Sequence, residues 1–220
     1  MKRLAAIRRA QKITDTVFTE IRGIVRAGVT EKYIENKIKR LIIRHGGRPA
    51  FTPIVCSGKR TALFHGPSSK KKIQKNDIVF IDMGARYRGY CSDITRTFFL
   101  GKPPAKLLKI YKIVLAAQKS QLRMVRAGMP AADIDHKGRA LFKKHKLEKY
   151  FPHSTGHGVG LKIHQSPRIS AKSEDILKSG QVITIEPGIY IKGLGGVRIE
   201  DMVIVTKNGC INLSKSPKLC

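Results

Sequence analysis

The sequence predicts an α+β fold built from two similar halves, with antiparallel strands in a curved sheet and helices on its outer face. The first observation is a repeated segment, because Val-Arg-Ala-Gly-Val at residues 25–29 recurs as Val-Arg-Ala-Gly-Met at residues 125–129. The second is a pair of matched apolar strands, residues 77–84 and 181–188, which each carry an acidic residue near the end. Each half is therefore predicted to contain two helices followed by several antiparallel strands.

The helices and turns follow from local patterns in chain order. Apolar residues recur at helical spacing over residues 4–24, so the basic start is predicted to be the first helix rather than a transit peptide. The glycine of each repeated segment is expected to end the first helix of its half, and Thr30 and Pro130 are expected to begin the second helix. Glycine-rich residues 84–89 and 192–196 are predicted to form hairpin turns.

Length and composition indicate the domain organisation and the compartment. We expect one domain over residues 1–220, made of halves of about 1–100 and 101–212 and followed by a short C-terminal tail, 213–220. No run approaches the roughly 18 apolar residues of a membrane span, so a soluble protein with no membrane partner is predicted. The cysteines lack metal-binding spacing and are predicted to be free thiols in a reducing cytoplasm. They are Cys56, Cys91, Cys210 and Cys220.

The formal charge of +29 is the compositional outlier. Such a charge attracts polyanions and raises the rate of encounter with RNA or other anionic surfaces. The basic residues are spread along the whole length, and no alternation of basic and aromatic residues of the kind that stacks bases is present. Two interpretations stay open, a generally basic solvated surface and a salt-dependent contact with the ribosome or RNA.

Four acidic residues and one histidine stand in short, mostly apolar strand-and-turn segments. They are Asp82, Asp93, His157, Glu186 and Glu200. A buried carboxylate is costly unless it is paired or coordinates a metal. The repeat pairs Asp82 with Glu186 and Asp93 with Glu200, so two halves folded face to face would bring all four acids into one cleft. Oxygen donors with one imidazole suit two divalent cations, and Mn, Co, Fe and Zn are all compatible with such a site.

This set of donors predicts metal-assisted hydrolysis of an amide. Two metals bridged by carboxylates acidify a water between them, and the resulting hydroxide attacks a carbonyl. Three further histidines lie near turn glycines or strand ends, and each is a candidate to hydrogen-bond the substrate carbonyl or a developing oxyanion. They are His65, His153 and His164.

These residues resemble the dinuclear site of the pita-bread metallopeptidases, the family of methionine aminopeptidases, Xaa-Pro aminopeptidases and Xaa-Pro dipeptidases (prolidases). The resemblance runs from the first helix to about Thr206, with the pita-bread fold as the expected architecture. The sequences of residues 87–98, 153–168 and 196–201 most resemble the proline-directed branch. Arg198 is part of this resemblance. The sequence corresponds to the catalytic domain of that branch, whose members usually carry a separate N-terminal domain.

The resemblance implies a role for each metal ligand. Asp82 would chelate one metal, Asp93 and Glu200 would bridge the two ions, and His157 with Glu186 would hold the other. Glu186 is also the implied proton acceptor for the attacking water.

Further residues are assigned to catalysis and support by the same resemblance. His65, His153 and His164 would contact the peptide substrate and stabilise the tetrahedral intermediate. Arg198 would contact the metal-ligating side chains without binding a metal itself, because it stands two residues before Glu200 and on the same strand face.

The implied activity is a metal-dependent exopeptidase that hydrolyses the N-terminal bond of peptides, with Xaa-Pro as the expected sequence. The alternative is a methionine aminopeptidase that removes the initiator methionine of nascent chains, which the single-domain length and basic surface favour. A non-catalytic, protein-binding or RNA-binding relative is disfavoured, because such relatives generally lose metal ligands and this sequence keeps all five. Phe64 and Gln165 depart from residues that are usual around the substrate histidines, which bears on specificity more than on metal binding.

Overall fold

Two α-helices open each half of the chain, as predicted. In the computed structural model, which describes residues 2–218, α1 spans Lys2–Ile24 and α2 spans Glu31–Arg44. In the second half, α3 spans Ala105–Leu122 and α4 spans Ala131–Lys144. The basic start of the chain is therefore part of a helix that packs into the fold, because Ile7, Ile13 and other apolar side chains of α1 are buried.

The repeated glycines do not end the first helices, which corrects the prediction. The helix α1 ends at Ile24 and α3 ends at Leu122, several residues before Gly28 and Gly128. Both glycines lie in the turn between the helices with φ of +89° and +82°, a conformation that favours glycine. Thr30 begins α2 as predicted, since its side-chain oxygen accepts a hydrogen bond from the Tyr33 amide.

The strands of the first half form two antiparallel ladders, ordered β2–β3–β6 and β1–β4–β5. Their bounds are β1 (Arg48–Pro49), β2 (Ile54–Ser57), β3 (Ile78–Met83), β4 (Ala85–Tyr87), β5 (Tyr90–Cys91) and β6 (Ile94–Phe99). A short 3-10 helix, Gly58–Ala62, follows β2. Within β3, Asp82 pairs with Ile54 on one side and with Thr95 on the other.

The second half repeats this plan with a longer ladder, ordered β13–β12–β9–β7–β8, and with the hairpin β10–β11. Its strands are β7 (Gly156–Gly158), β8 (Gln165–Ile169), β9 (Val182–Ile185), β10 (Gly188–Ile191), β11 (Gly195–Arg198), β12 (Asp201–Val205) and β13 (Cys210–Asn212). A 3-10 helix, Glu148–Tyr150, precedes β7. The predicted sheet is thus antiparallel throughout residues 2–218, and its strands fall into four ladders.

Both predicted hairpin turns are present. Arg88 and Gly89 connect β4 to β5 with φ of +47° and +84°. Residues 192–194 connect β10 to β11, and Gly193 has a φ of +81°.

Two of the four apolar clusters join the halves. One contains Ile78 of β3 together with Tyr111 and Val114 of α3 and Val197 of β11. Another contains Ile7 of α1 with residues of the second half, among them Val182 and Met202. The other two clusters lie within one half each. Because buried side chains from both halves share a core, the relative placement of the halves is fixed by packing.

The last described residues pack against both halves. Ser216 donates from its amide to Asp15 at 2.8 Å, and Lys218 forms an ion pair with the buried Asp201. Residues 219–220, the end of the predicted tail, lie outside the described residues and include Cys220. Cys56, Cys91 and Cys210 are free thiols. Within residues 2–218, no helix is both long and apolar enough to cross a membrane.

Gly84 links the two ladders of the first half, and we predict that a side chain there destabilises the fold. A Cβ atom at this position would lie 2.0 Å from the Ser92 carbonyl oxygen and 2.9 Å from the Phe51 ring. Gly84→Ala should therefore lower the free energy of unfolding by about 2–3 kcal/mol, measured by urea denaturation. Gly23→Ala in α1 is the control, because a Cβ there meets no atom within 4 Å. It should be neutral or stabilising by up to about 1 kcal/mol, and equal losses in both variants would contradict the prediction.

Candidate metal centre

One pocket contains every residue that the sequence analysis assigned to the site. Residues of both halves line it, and the apolar side chains of Phe51, Ile54 and Ile163 form part of its wall. The assigned residues that meet there are Asp82, Asp93, His157, Glu186, Glu200, His65, His153, His164 and Arg198.

The four acids stand at corresponding points of the two halves. Asp82 lies near the end of β3, and Glu186 directly follows β9, the corresponding strand. Asp93 occupies the two-residue break between β5 and β6, and Glu200 occupies the matching break between β11 and β12. A hydrogen bond of 3.1 Å from the Glu200 amide to the Thr95 carbonyl joins the two halves at this point.

Three of these residues are close enough to share one metal ion. Asp93, His157 and Glu200 each offer a ligand atom, and these atoms lie within 4.8 Å of one another. The Nε2 atom of His157 lies 3.7 Å from Asp93 Oδ2 and 3.3 Å from Glu186 Oε1. The Nδ1 atom lies 3.1 Å from the Gly158 carbonyl oxygen, a partner that keeps the proton on Nδ1 and leaves Nε2 available as a ligand.

Arg198 is a buried cation that contacts the acids from the side of β11. Its Nη2 atom forms an ion pair with Asp82 Oδ2, and its Nε atom lies 3.8 Å from Glu186 Oε2. The Nε atom also donates to the Thr95 hydroxyl at 3.0 Å, and that hydroxyl donates to Glu200 Oε2 at 2.8 Å. The guanidinium thus touches one acid of each half and reaches a third through a threonine.

Burial places the acids in a strongly unfavourable electrostatic environment. Burial raises the pKa of Asp82 to about 6, against the opposing charge of Arg198. Burial and the neighbouring carboxylates Glu200 and Asp82 raise the pKa of Asp93 well above its usual value. Burial, Glu186 and Asp82 do the same for the pKa of Glu200. Removal of the carboxylates from water is the main cause, and the crowding of negative charges adds to it.

The donor set fits a divalent cation. The Oδ1 atom of Asp82 is buried and has no hydrogen-bond partner within residues 2–218. An orphaned carboxylate oxygen of this kind is costly, and a cation beside it would relieve both that cost and the repulsion between the acids. Carboxylate oxygens with one imidazole nitrogen are a common ligand set for divalent transition metals.

Glu186 and His157 lie side by side in the same pocket, 3.3 Å apart at Oε1 and Nε2. Burial favours the neutral form of Glu186, but hydrogen bonding to His157 and the charges of His157 and Arg198 lower its pKa to about 2. Burial likewise opposes the charged form of His157, and its contact with Glu186 raises the pKa above the usual value.

His153 is fully engaged by protein groups. Its Nδ1 atom lies 2.8 Å from the Ser154 carbonyl oxygen, and its Nε2 atom lies 2.9 Å from the Tyr190 hydroxyl. Because that hydroxyl accepts a hydrogen bond from Arg198 Nη1 at 3.1 Å, its own proton is directed to His153 Nε2. Burial lowers the pKa of His153 to about 4, so the ring is neutral near pH 7.

His65 and His164 differ from His153, since both are exposed and neither ring nitrogen hydrogen-bonds to another group within residues 2–218. The His164 ring stands edge-on to the His157 ring at 4.3 Å between centroids. The His65 ring packs against Phe64 at 4.6 Å. The surrounding protein removes part of the water from each ring and so lowers the pKa of both, helped by Arg198 at His65 and by His157 at His164.

Two polar residues of the site were missed by sequence reasoning. Thr95 bridges Arg198 and Glu200, and Tyr190 bridges Arg198 and His153. Thr95 stands two residues after Asp93, at the start of β6, and this spacing predicts that both side chains point to the same side. Tyr190 lies in a short apolar strand and carries no comparable signal in the sequence.

The chain is similar in sequence and structure to Xaa-Pro dipeptidases and to an X-Pro aminopeptidase. It is 46% identical over 213 residues to the Xaa-Pro dipeptidase of Pyrococcus furiosus. The aligned residues make up 96% of this chain and 61% of that protein. The Xaa-Pro dipeptidase structure from Bacillus anthracis superposes with a TM-score of 0.97 at 42% identity, over 100% of this chain and 63% of that one. The X-Pro aminopeptidase structure from Thermotoga maritima gives a TM-score of 0.96 at 36% identity, over 100% and 63%.

The chain spans about three fifths of the length of these relatives. Over the shared part the architecture is the same, with helices and antiparallel ladders in the pita-bread arrangement that the sequence predicts. The sequence pattern of metallopeptidase family M24 matches residues 5–207, and the chain belongs to that family.

Proposed function

We propose that this protein is a metal-dependent exopeptidase that hydrolyses the bond between an N-terminal residue and proline, with Xaa-Pro dipeptides as its substrates. The meeting of four acids and one histidine in a single pocket carries this proposal. The substrate class is supported by the similarity to the dipeptidase of Pyrococcus furiosus and to the proteins of known structure compared above.

The proposed cofactor is a pair of divalent cations, with Mn, Co, Fe and Zn as candidates. Asp82 and Asp93 would hold one ion, His157 and Glu186 the other, and Asp93 and Glu200 would be shared between them. When bound, such cations polarise the scissile carbonyl and acidify water. The buried repulsion among the acids and the orphaned oxygen of Asp82 support the assignment.

The remaining steps would use groups of the chain itself. The Thr184 hydroxyl donates a hydrogen bond to Glu186 Oε1 at 3.4 Å, and the Glu186 carboxylate is the proposed proton acceptor. His65 and His164 have ring nitrogens available to donate to the substrate carbonyl as negative charge develops on it. His153 would act through the Tyr190 hydroxyl, which it holds in place.

Metal binding is predicted to stabilise the protein through Asp93 and Glu200. Mn²⁺ titrated into metal-free protein should bind at two ions per chain in calorimetry. At a free concentration of ~100 times Kd, each bound ion should add about 2.7 kcal/mol to the free energy of unfolding. The double variant Asp93→Asn/Glu200→Gln should lose most of this effect, whereas Asp133→Asn, at an exposed acid, should keep it. Equal binding in the double variant would contradict the ligand assignment.

Substrate specificity is predicted to favour proline after the scissile bond. The Mn²⁺-loaded protein should hydrolyse Ala-Pro at least about tenfold faster, in kcat/KM, than Ala-Ala, because the pocket should discriminate by shape. Release of methionine from Met-Ala-Ser at a higher rate than hydrolysis of Ala-Pro would instead support the methionine aminopeptidase alternative.

Glu186→Gln is the control that assigns the activity to this pocket. Loss of the proton acceptor should lower kcat by about 100-fold or more, while circular dichroism shows an unchanged fold. Unchanged turnover in this variant would refute the role given to Glu186.

We further propose that the basic surface binds RNA through its phosphates. Of the 15 acidic residues, only Asp133 and Glu174 are exposed, so the surface carries far more positive than negative charge. The helix α3 contains no acid, and its exposed Lys109, Lys112 and Lys119 lie on one side of the helix. Such a stripe suits a polyanion.

RNA binding should depend on salt and on this stripe. Anisotropy of a labelled single-stranded RNA should show affinity that falls between about 50 and 200 mM salt. The variant Lys109→Glu/Lys112→Glu/Lys119→Glu should reduce the slope of log K against log salt by about 2, the value for three lost phosphate contacts. A matched triple change at the exposed Lys172, Lys178 and Lys207 should reduce it less. No binding at the lower salt would overturn the proposal.

A further inference from the structure

A loop between two fixed points carries His65 into the pocket. The 3-10 helix Gly58–Ala62 enters this loop, and residues 63–68 continue it without regular structure. Phe64 at the tip accepts a hydrogen bond from Arg198 Nη1 at 3.1 Å through its carbonyl oxygen. His65 follows and lines the pocket. The position of its ring therefore depends on how the ends of the loop are held.

One buried carboxylate holds both ends of this loop. Glu31, the first residue of α2, has no exposed surface. Its Oε1 atom accepts hydrogen bonds from the amide and hydroxyl of Ser57, at 2.8 and 3.0 Å. Its Oε2 atom accepts from the amide and hydroxyl of Ser69, at 3.0 and 2.7 Å. Ser57 precedes the loop and Ser69 follows it, so Glu31 closes the loop like a clamp.

An arginine extends this clamp towards His65. Arg60 donates from Nε to Glu31 Oε2 at 3.1 Å and from Nη2 to the Pro67 carbonyl oxygen at 2.7 Å. Pro67 stands two residues after His65. The carboxylate thus fixes a guanidinium, and the guanidinium fixes the backbone beside the histidine.

The second half contains the same kind of acid–arginine pair beside His153. Asp135 of α4 is fully buried, and it accepts hydrogen bonds from the Thr155 amide at 3.1 Å and from Arg139 Nε at 2.6 Å. Arg139 donates in turn to the carbonyl oxygens of Phe151 at 3.2 Å and of His153 at 2.8 Å. In each half, then, a buried acid on the second helix orients an arginine that holds the backbone at a histidine of the pocket.

We propose that Glu31 and Asp135 are positioning residues, which hold His65 and His153 in the site through Arg60 and Arg139. Neither acid lines the pocket, so neither would contact the substrate. Both are buried, and their hydrogen bonds come from the segments that they hold and from the arginines beside them, which makes loss of the carboxylate costly at that point of the chain. This proposal deepens the peptidase function proposed above, and its kinetic test rests on that function.

Glu31→Gln tests the clamp. The substitution replaces one carboxylate oxygen, which accepts hydrogen bonds, with an NH2 group, which only donates them. When this group faces the N–H and O–H donors of Ser69 and Arg60, their hydrogen bonds are lost, so the loop should be released. Hydrogen–deuterium exchange should become faster in residues 58–69 and unchanged in α3. The value of kcat/KM for Ala-Pro should fall by about 10- to 100-fold, because misplacing a group by ~1 Å can have that effect.

A double variant separates positioning from general loss of stability. If Glu31 acts through His65, then adding Glu31→Gln to His65→Ala should lower kcat/KM by less than about twofold beyond His65→Ala alone. Two losses that multiply in full would overturn the proposal, as would unchanged exchange in residues 58–69. Glu20→Gln is the matched control, because Glu20 also pairs with an arginine, Arg44, but lies away from the pocket.

Two further measurements keep the outcome decisive. If Glu31→Gln does not fold, Arg60→Gln removes the link to Pro67 while four hydrogen bonds to Glu31 remain, and it should show the same exchange and kinetic pattern. The exchange measurement needs no substrate. A wild-type protein without peptidase activity would therefore refute the proposed function and still leave the clamp tested.

Discussion

Repulsion among buried carboxylates is the constraint on which the rest of this structure depends. Asp82 lies in β3, Asp93 and Glu200 lie in breaks between strands, and all three share one pocket, where burial and neighbouring carboxylates raise the pKa of each. Arg198 offsets this charge beside Asp82 and Glu186. Arg198 reaches Glu200 through the Thr95 hydroxyl, and Asp93 and Glu200 group with His157 within 4.8 Å. A divalent cation held by these three residues would offset the negative charge that remains.

Such a pocket requires that the two halves be held firmly against each other, since repulsion would otherwise separate them. Strands β6 and β11 provide part of this hold through side chains. The Thr97 hydroxyl donates to the Arg198 carbonyl oxygen at 2.8 Å and accepts from the Arg198 amide at 3.1 Å. Behind the strands, Ile78 packs with α3 and Ile7 packs with β9 and β12. The apolar cores thus oppose the electrostatic cost of the site.

The acids of the site were predictable because the repeat places Asp82 and Glu186 in matching strands, and an acid in an apolar strand is a strong signal. The helices were predictable from apolar spacing, although the repeated Gly28 marks the following turn and not the helix end. The supporting groups were not predictable. The partners of Glu31 lie 26 to 38 residues away, and Tyr190 gains its role only where Arg198 and His153 converge on it. Such contacts arise from tertiary packing and leave no local pattern.

The three histidines of the pocket differ in what they can do. His153 has both ring nitrogens bonded to protein groups, so a substrate could reach it only by displacing Tyr190 or the Ser154 carbonyl. Among the described residues, none hydrogen-bonds the ring nitrogens of His65 and His164, and both rings are exposed in the pocket. A side chain that stabilises the negative charge developing on a carbonyl oxygen needs a free hydrogen-bond donor before the substrate arrives. It must also be held in the correct position at that time. His65 meets the first condition by its exposure, and the clamp at Glu31 is what enables it to meet the second.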